Sequence, residues 1–173
     1  SSIKFIIQSI LAGWVLYWLD GGLLASKDWL PIWFSWLVSW FLLLWMINLY
    51  NFMDGVDGMA ASGAVFFSLA LMFVILLKYE FSNLSLIFLL LALSCTGFLI
   101  YNWPPASIFM GDSGSVFLGY LFGALMIKTT MTGDISIWTW IVVFGYFFAD
   151  TNLTILLRIF LVKKWYNSHK SHA

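Results

Sequence analysis

The sequence predicts an all-α protein, a polytopic transmembrane helix bundle, and two observations support this. Hydrophobic residues make up 62% of the 173 residues and charged residues only 9%, whereas a soluble domain is usually about half apolar and a quarter charged. The apolar residues also form long runs without the alternation of a membrane barrel strand. Because backbone polar groups in lipid must bond internally, helices are the solution that remains.

Six stretches reach or approach the roughly 20 apolar residues that a spanning helix needs. They cover 3–19, 30–47, 58–77, 84–101, 114–131 and 136–161. The last stretch is long for one span, so we expect it to tilt or kink. We find no repeat and no boundary of a soluble domain, so residues 1–173 are predicted to form a single membrane-embedded region.

The loops between these stretches fall on two sides of the bilayer. The side that receives the N-terminus, 48–57, 102–113 and the C-terminal tail carries five basic residues, and the other side carries three. The five are Lys4, Arg158, Lys163, Lys164 and Lys170. The positive-inside rule makes the first side cytoplasmic. A formal net charge of zero gives no sign of nucleic-acid binding. A single cysteine, Cys95, excludes an intramolecular disulfide.

The first polar segment, "NLYNFMDGVDGMA", follows the second apolar stretch. Its polar residues stand at three-residue steps: Asn48, Asn51, Asp54 and Asp57. On a helix, Asp54 and Asp57 would face the same way, and Gly55 and Gly58 permit a tight turn close to a ligand. A purely structural alternative is that Asp57 caps the next helix. It leaves the two asparagines unexplained, because amides at that depth are costly unless they face a cavity or the bundle interior.

The second polar segment, "YNWPPASIFMGDSGS", connects the fourth and fifth stretches. Its two prolines are expected to end the fourth helix. Gly111 and Gly114 then open the fifth helix with backbone N–H groups that favour an anion. A carboxylate beside such a site, Asp112, suits Mg²⁺, which takes one or two carboxylates together with phosphate oxygens. The structural alternative is that Asp112 is an N-cap.

The third polar segment is the tail, "RIFLVKKWYNSHKSHA". Its basic residues, Arg158 among them, suit the cytoplasmic anchor of the last helix. His169 and His172 are the two histidines of the chain, and their spacing alone favours phosphate or metal contact no more than a structural role. Asp150 lies within the last stretch, where an ionisable residue is a functional candidate unless it pairs with a neighbouring helix.

Even numbers of spans separate the three polar segments, so all three are predicted to emerge on one face. Together they supply carboxylates, glycine-rich helix starts and imidazoles. Metal-assisted charge neutralisation and positioning are the main needs of phosphoryl chemistry. The pattern therefore indicates phosphoryl transfer at the cytoplasmic surface.

These motifs resemble those of the polyprenyl-phosphate sugar-1-phosphate transferases. "NLYNFMDGVDGMA" is similar to the family signature N-x-x-N-x-x-D-G-x-D-G, "FMGDSGS" to a second signature, and "HKSHA" to the histidine motif of O-antigen-type members. The resemblance implies a bacterial inner-membrane enzyme with a cytoplasmic active face. In that reaction undecaprenyl phosphate attacks the β-phosphorus of a UDP-amino sugar of the N-acetylhexosamine type, and UMP leaves. The lipid-diphosphate sugar formed would initiate O-antigen or another cell-envelope polysaccharide.

The resemblance also implies roles for individual residues. Asp112 would ligate Mg²⁺, with Mn²⁺ as the alternative metal. The predicted catalytic residues are Asn51, Asp54, Asp57, His169 and His172. The predicted substrate-binding residues are Asn48, Gly55, Asn102, Phe109, Gly111 and Arg158, with Asn102 and Phe109 at the positions that hold the uracil. The lipid chain would lie in a groove open to the bilayer, and a homodimer is left open.

Family members carry an adjacent pair of aspartates just before a helix like 3–19, and this sequence starts at Ser1 without one. We therefore expect the chain to be the C-terminal part of a longer transferase and to be inactive alone. Three alternatives stay open: a Mg²⁺ channel or transporter, a lipid-diphosphate phosphatase, and an inactive homologue. A channel needs polar residues along a membrane path, whereas the acids here gather at one face.

Overall fold

The structure is a computed structural model, and it describes residues 2–19, 23 and 31–149. Six helices follow one another in this part of the chain: α1 (Ser2–Trp18), α2 (Ile32–Met53), α3 (Met59–Leu76), α4 (Asn83–Asn102), α5 (Gly111–Thr132) and α6 (Ile137–Val143). After a turn at Phe144, residues 145–149 are helical again. These described residues contain no strand, so the all-α prediction is confirmed.

Four helices, α2 to α5, are long and apolar enough to cross a membrane by length and composition. The apolar α1 is shorter, with 17 residues. The predicted sixth stretch begins with α6 and breaks at Phe144, which agrees with the expected kink, and its remainder lies outside the described residues. The chain is therefore an integral membrane protein, with four of the six predicted spans supported by complete helices.

The helices pack in pairs, α2 against α5 and α3 against α4, and α1 lies on α2. Aromatic rings join the two pairs at the centre of the bundle. The Phe67 ring of α3 stacks on Phe144 with a centroid separation of 3.9 Å and meets Phe122 of α5 edge-on at 6.1 Å. Tyr50 of α2 stacks on Phe122 at 5.7 Å. These four side chains are buried. The core therefore fixes α2, α3 and α5 relative to the chain that follows α6.

The contact between α2 and α5 depends on small side chains. They recur at four-residue steps on the buried face of α5, at Ser115, Gly119 and Gly123. A Cβ atom on Gly119 would lie 2.8 Å from the Ile47 Cα and 2.8 Å from the Met46 carbonyl oxygen, so only glycine permits this approach. Small residues at this spacing let membrane helices pack backbone to backbone. The stripe sets the register of α5 against the polar C-terminal end of α2.

Candidate active site

The first polar segment forms the end of α2 and a turn over 54–58. Asn48 and Asn51 lie in the last turns of α2, which extends beyond the predicted apolar stretch and ends at Met53. The prediction that Asp54 and Asp57 share a helical face is therefore wrong. Asp57 does not cap α3 either, because Gly58 is the N-cap residue and no side chain caps the helix. The left-handed backbone of Gly58, with φ of 74°, is a conformation that glycine adopts without steric cost.

The second polar segment joins this turn through side-chain hydrogen bonds. The segment 103–110 follows α4, which ends at Asn102, two residues before Pro104, so the prediction that the prolines end this helix is confirmed. Asp57 Oδ2 accepts a hydrogen bond from the Ala106 N–H at 3.1 Å. Asn102 Oδ1 accepts one from the Gly58 N–H at 3.1 Å, and Asn102 Nδ2 donates to the Ile108 carbonyl at 2.8 Å. The turn 54–58 and the segment 103–110 thus form one continuous surface.

Asp112 lies in the first turn of α5, which begins at Gly111. The N-cap position belongs to Met110, so the alternative that Asp112 is an N-cap is wrong. Its carboxylate is exposed and forms an ion pair with the Lys4 ammonium group on α1. A hydrogen bond from the Asn51 side chain also reaches it. Three helices thus contribute to the surroundings of one carboxylate.

The contact between Asn51 and Asp112 is oriented by Ser115. The buried Ser115 hydroxyl donates to Asn51 Oδ1 at 2.8 Å and also contacts the Gly111 carbonyl at 3.0 Å. Because Asn51 Oδ1 accepts this bond, the Asn51 NH₂ group remains to donate to the Asp112 carboxylate. The close packing of α5 on α2 therefore places a polar group from the first motif beside the acid of the second.

Asp54 lies on the same side of the site, since the Gly111 N–H donates a hydrogen bond to its carboxylate. Partial burial raises the pKa of Asp54 above its ordinary value, and the neighbouring charge of Asp112 raises it further. The bond from Gly111 opposes these effects. Two carboxylates close enough to repel one another disfavour their simultaneous ionisation, and a bound cation would relieve that repulsion.

The donor set fits a hard divalent cation that also binds substrate. Among the residues that the structure describes, no group of three or more His, Cys, Asp or Glu side chains could hold a metal. Mg²⁺, however, usually binds through one or two carboxylates and completes its shell with water and phosphate oxygens. Asp54 and Asp112 supply such a pair, and Lys4 shows that Asp112 already attracts a cation. The site fits Mg²⁺ bound together with a phosphate, not an all-protein metal cage.

Other predicted residues are distributed around this cluster. Asn48 is exposed, and its Nδ2 donates to the Leu44 carbonyl of its own helix at 2.7 Å, so it joins none of the bonds above. Gly55 is exposed in the turn, and the Phe109 side chain is 73% exposed. Asn102 is buried and already bonds to the backbone on both sides, while its uracil contact stays a prediction. The predicted residues that lie outside the described part of the chain are Asp150, Arg158, His169 and His172.

Two residues of the site were not predicted from the sequence. Lys4 counted only as a basic residue on the cytoplasmic side, although it is the one charged side chain of an otherwise apolar α1. Ser115 was part of the quoted motif but received no role, because nothing in the sequence indicates that its hydroxyl faces Asn51. The signal available in hindsight is position: both residues lie at the end of a helix that the prediction already placed on the cytoplasmic side.

Comparisons with known proteins identify the family of this chain. Residues 1–130 match the family model described as "Glycosyl transferase family 4". A phospho-N-acetylmuramoyl-pentapeptide-transferase of a Synechocystis species is 38% identical over 133 residues, which cover 75% of this chain and 34% of the relative. Another protein of that name, from Kosmotoga olearia, is 36% identical over 127 residues, or 73% of this chain and 37% of the relative.

A third relative carries a different name. The "probable undecaprenyl-phosphate N-acetylglucosaminyl 1-phosphate transferase" of Bacillus subtilis is 31% identical over 173 residues, which cover 99% of this chain and 43% of the relative. The chain thus spans less than half the length of the relatives it matches. The matched region contains Lys4, both glycine-rich motifs and all of α1 to α4. On the match over residues 1–130, this chain belongs to glycosyl transferase family 4.

Proposed function

We propose that this chain carries most of the active site of an enzyme that transfers a sugar-1-phosphate from a UDP-amino sugar to undecaprenyl phosphate. The observation that supports this best is the convergence of two distant motifs at one end of the bundle. Asn51 and Asp54 of the first motif contact Ser115 and Gly111 of the second. The names of the relatives, which describe two kinds of phosphosugar transferase, support the same chemistry.

The reaction brings several negative charges to the site, those of the lipid phosphate and of the donor diphosphate. An oxygen of the lipid phosphate forms a bond to the β-phosphorus of the donor. The bond from that phosphorus to the oxygen bridging the α-phosphate breaks, and its electron pair leaves with UMP. Lys4 supplies a positive charge beside the phosphates, and the backbone N–H groups at the start of α5 face the same region. Such preorganised groups are most effective where charge develops during the reaction.

We propose Asp112 as the direct ligand of Mg²⁺ and Asp54 as the second carboxylate near it, with Mn²⁺ as the alternative metal. When bound, the metal ion neutralises phosphate charge and orients the diphosphate. Asn51 holds Asp112 in place through its side-chain hydrogen bond. The same residues suit no transport path, because within the described helices they gather at one end of the bundle.

The nucleotide is proposed to lie against the segment 103–110. The side chain of Phe109, the first residue of the second motif, is 73% exposed, and an exposed aromatic ring can stack on a uracil base. Gly55 in the adjacent turn leaves room for the ribose or a phosphate. His169, His172 and Arg158 are proposed to approach the diphosphate or the sugar from the tail.

For the substrate, we propose an N-acetylhexosamine donor. For the biological role, we propose the initiation of O-antigen or another envelope polysaccharide at the cytoplasmic face of the bacterial inner membrane. The histidine motif of the tail supports it. The relatives named as phospho-N-acetylmuramoyl-pentapeptide-transferases offer the competing donor, a UDP-linked muramoyl peptide. The two donors differ in the groups attached to the sugar and not in the diphosphate, so the site described above serves either.

A transfer assay tests the proposal. The complete native polypeptide, in lipid nanodiscs with undecaprenyl phosphate and Mg²⁺, would receive UDP-N-acetylglucosamine or the UDP-muramoyl pentapeptide. We expect UMP and a lipid-diphosphate sugar in equal amounts with the first donor. Inorganic phosphate in place of UMP would favour a phosphatase, and ion flux in liposomes without UMP would favour a channel. Product from the muramoyl donor alone would keep the transferase and refute the N-acetylhexosamine assignment.

A further inference from the structure

The segment 103–110 carries exposed aromatic and aliphatic side chains and has no helix or strand of its own. The Trp103 side chain is 62% exposed, Ile108 44% and Phe109 73%. A segment with so few buried apolar contacts must be held by polar bonds if it is to keep one shape. These bonds therefore decide where the Phe109 ring is presented.

One group of bonds fixes the segment to its own helix. The N–H groups of Ser107 and Ile108 both donate to the Tyr101 carbonyl, at 2.9 and 3.3 Å. The Ser107 hydroxyl donates to the same oxygen at 2.9 Å. All three bonds close short loops on the end of α4. They do not determine how the segment lies against the turn 54–58.

A second group crosses between the two motifs. Asp57 Oδ2 accepts from the Ala106 N–H, across 49 positions of sequence. Asn102, whose side chain is only 4% exposed, binds both the Gly58 N–H and the Ile108 carbonyl. Gly58 also packs closely against the segment, since a Cβ atom there would lie 3.4 Å from the Pro104 Cδ. The turn and the segment are thus clamped together.

Within this clamp, Asp57 makes the only side-chain bond that the turn residues 54–58 send directly to segment 103–110 among the described hydrogen bonds. The resemblance implies a catalytic role for Asp57, yet its carboxylate is engaged with a main-chain amide. The two carboxylates near the start of α5 are Asp54 and Asp112. The chemistry and the clamp are therefore carried by different acids of the two motifs.

We propose that Asp57 is a positioning residue, which holds the segment 103–110 so that Phe109 is presented to the nucleotide. It acts through the Ala106 amide and not on the reacting phosphates. The inference rests on the proposed function, because it gives the segment the nucleotide as its ligand. It differs from the catalytic role in one chemical requirement: a positioning residue here needs a hydrogen-bond acceptor, whereas a base or a metal ligand needs the negative charge.

Two substitutions separate these requirements. Asp57→Asn keeps an oxygen that can accept from the Ala106 N–H but removes the charge. Asp57→Ala removes both. A hydrogen bond to a charged group contributes enough that its loss changes binding by about tenfold or more. We therefore expect Asp57→Ala to raise the Kd for UMP and the KM for the UDP-sugar about tenfold, with a smaller change in kcat. Asp57→Asn keeps a weaker, neutral bond to the Ala106 N–H, so it should raise both constants clearly less than Asp57→Ala.

The experiment combines hydrogen exchange with binding on the complete native polypeptide in nanodiscs. Exchange of the peptide covering 103–110, without any ligand, should accelerate in Asp57→Ala and clearly less in Asp57→Asn. UMP titrations with Mg²⁺ should rank the variants in the same order. Intact-mass measurement confirms that the Asn-Gly pair in Asp57→Asn has not deamidated, since reversion to aspartate would imitate the expected result.

Three outcomes are decisive. Exchange and affinity that change clearly more in Asp57→Ala than in Asp57→Asn support the positioning role. A wild-type enzyme that releases UMP, with Asp57→Asn as impaired in kcat as Asp57→Ala and no change in exchange, overturns that role and leaves the proposed function intact. A wild-type protein that neither binds nor releases UMP overturns the proposed function, and the inference falls with it.

Discussion

The connections between helices are held by different kinds of hydrogen bond at the two ends of the bundle. One end carries the first two polar motifs, and the other carries the connections 77–82 and 133–136. At one end, bonds connect residues that are distant in sequence: Asp57 with Ala106, Asn51 with Ser115, and Lys4 with Asp112. At the other end, most of the side-chain bonds are local. Ser82 and Ser85 form a capping box at the start of α4, and Ser136 accepts from the Thr139 N–H at the start of α6.

The difference indicates that the two ends meet different structural requirements. A turn that only reverses the chain between two membrane helices needs its own backbone groups satisfied, and neighbouring side chains do this. Long-range polar bonds at a helix end order groups from several helices relative to one another. That order matters where a ligand must be held, so we propose that the ligand binds at the end with the distant bonds. Substitutions at corresponding positions of the two ends test this difference.

The largest effect is expected for Asp112→Asn, which keeps the shape of the side chain and removes its charge. We expect the rate of UMP release to fall by about 10²–10³-fold, as when one electrostatic group of an active site is lost. The measurement is the initial rate at saturating donor and Mg²⁺. Asp134→Asn, at the opposite end of the bundle, is the matched control and should keep wild-type activity. Equal losses in both variants would contradict the assignment of the ends.

A smaller effect, on stability, is expected for Gly119→Ala. Its new methyl group would meet the α2 backbone at 2.8 Å, and overpacking of this kind typically costs about 1–3 kcal/mol. The variant should lower the thermal unfolding temperature in detergent and also weaken activity, because α5 carries Ser115 and Asp112. Gly97→Ala on α4, where a Cβ has nothing within 4 Å, should be neutral or stabilising. Indistinguishable unfolding temperatures would refute the close α2–α5 approach.

A third prediction compares two serines. Ser115→Ala removes the bond that orients Asn51, and we expect activity to fall about tenfold, the equivalent of one hydrogen bond of roughly 1.4 kcal/mol. Its unfolding temperature should change little more than that of the comparison variant, Ser136→Ala. Activity that responds equally to both serines would show that the orientation of Asn51 is unimportant.

The smallest effect is expected for Ser136→Ala itself. The change removes an N-cap, whose loss costs about 1 kcal/mol of helix stability, in a helix of seven residues. Hydrogen exchange of the peptide covering 136–144 should detect the loss as faster exchange in this helix. UMP release should be unchanged. A drop in activity larger than that of Ser115→Ala would reverse the comparison between the two ends.

The sequence predicts the coarse features well because they depend on hydrophobicity and on strong local signals. The runs of apolar residues gave helices α2 to α5, and the two prolines marked the end of α4. The glycine-rich motif marked the start of α5. The face shared by the motifs followed from counting spans, and the described residues of the first two motifs do meet there. Family membership followed from the order and spacing of the motifs.

The details depend on packing that no local pattern records. The helical geometry expected for Asp54 and Asp57 was wrong because α2 ends one residue before Asp54. The contact of Asp57 with Ala106 needs the turn 54–58 and the segment 103–110 in their final places, 49 positions apart. Lys4 reaches Asp112 over 108 positions. Roles of the remaining predicted residues, including the histidines of the tail, stay predictions.

Mapping where the nucleotide binds tests directly the claim that the two motifs form one site. Hydrogen exchange of the complete native polypeptide would be compared with and without UMP and Mg²⁺. If the two motifs form one nucleotide site, UMP should slow exchange of the backbone amides in both 48–58 and 101–115. Exchange in 78–83 and 132–136 should not change. Protection confined to the opposite end, or absent from both motifs at saturating UMP, would contradict the claim.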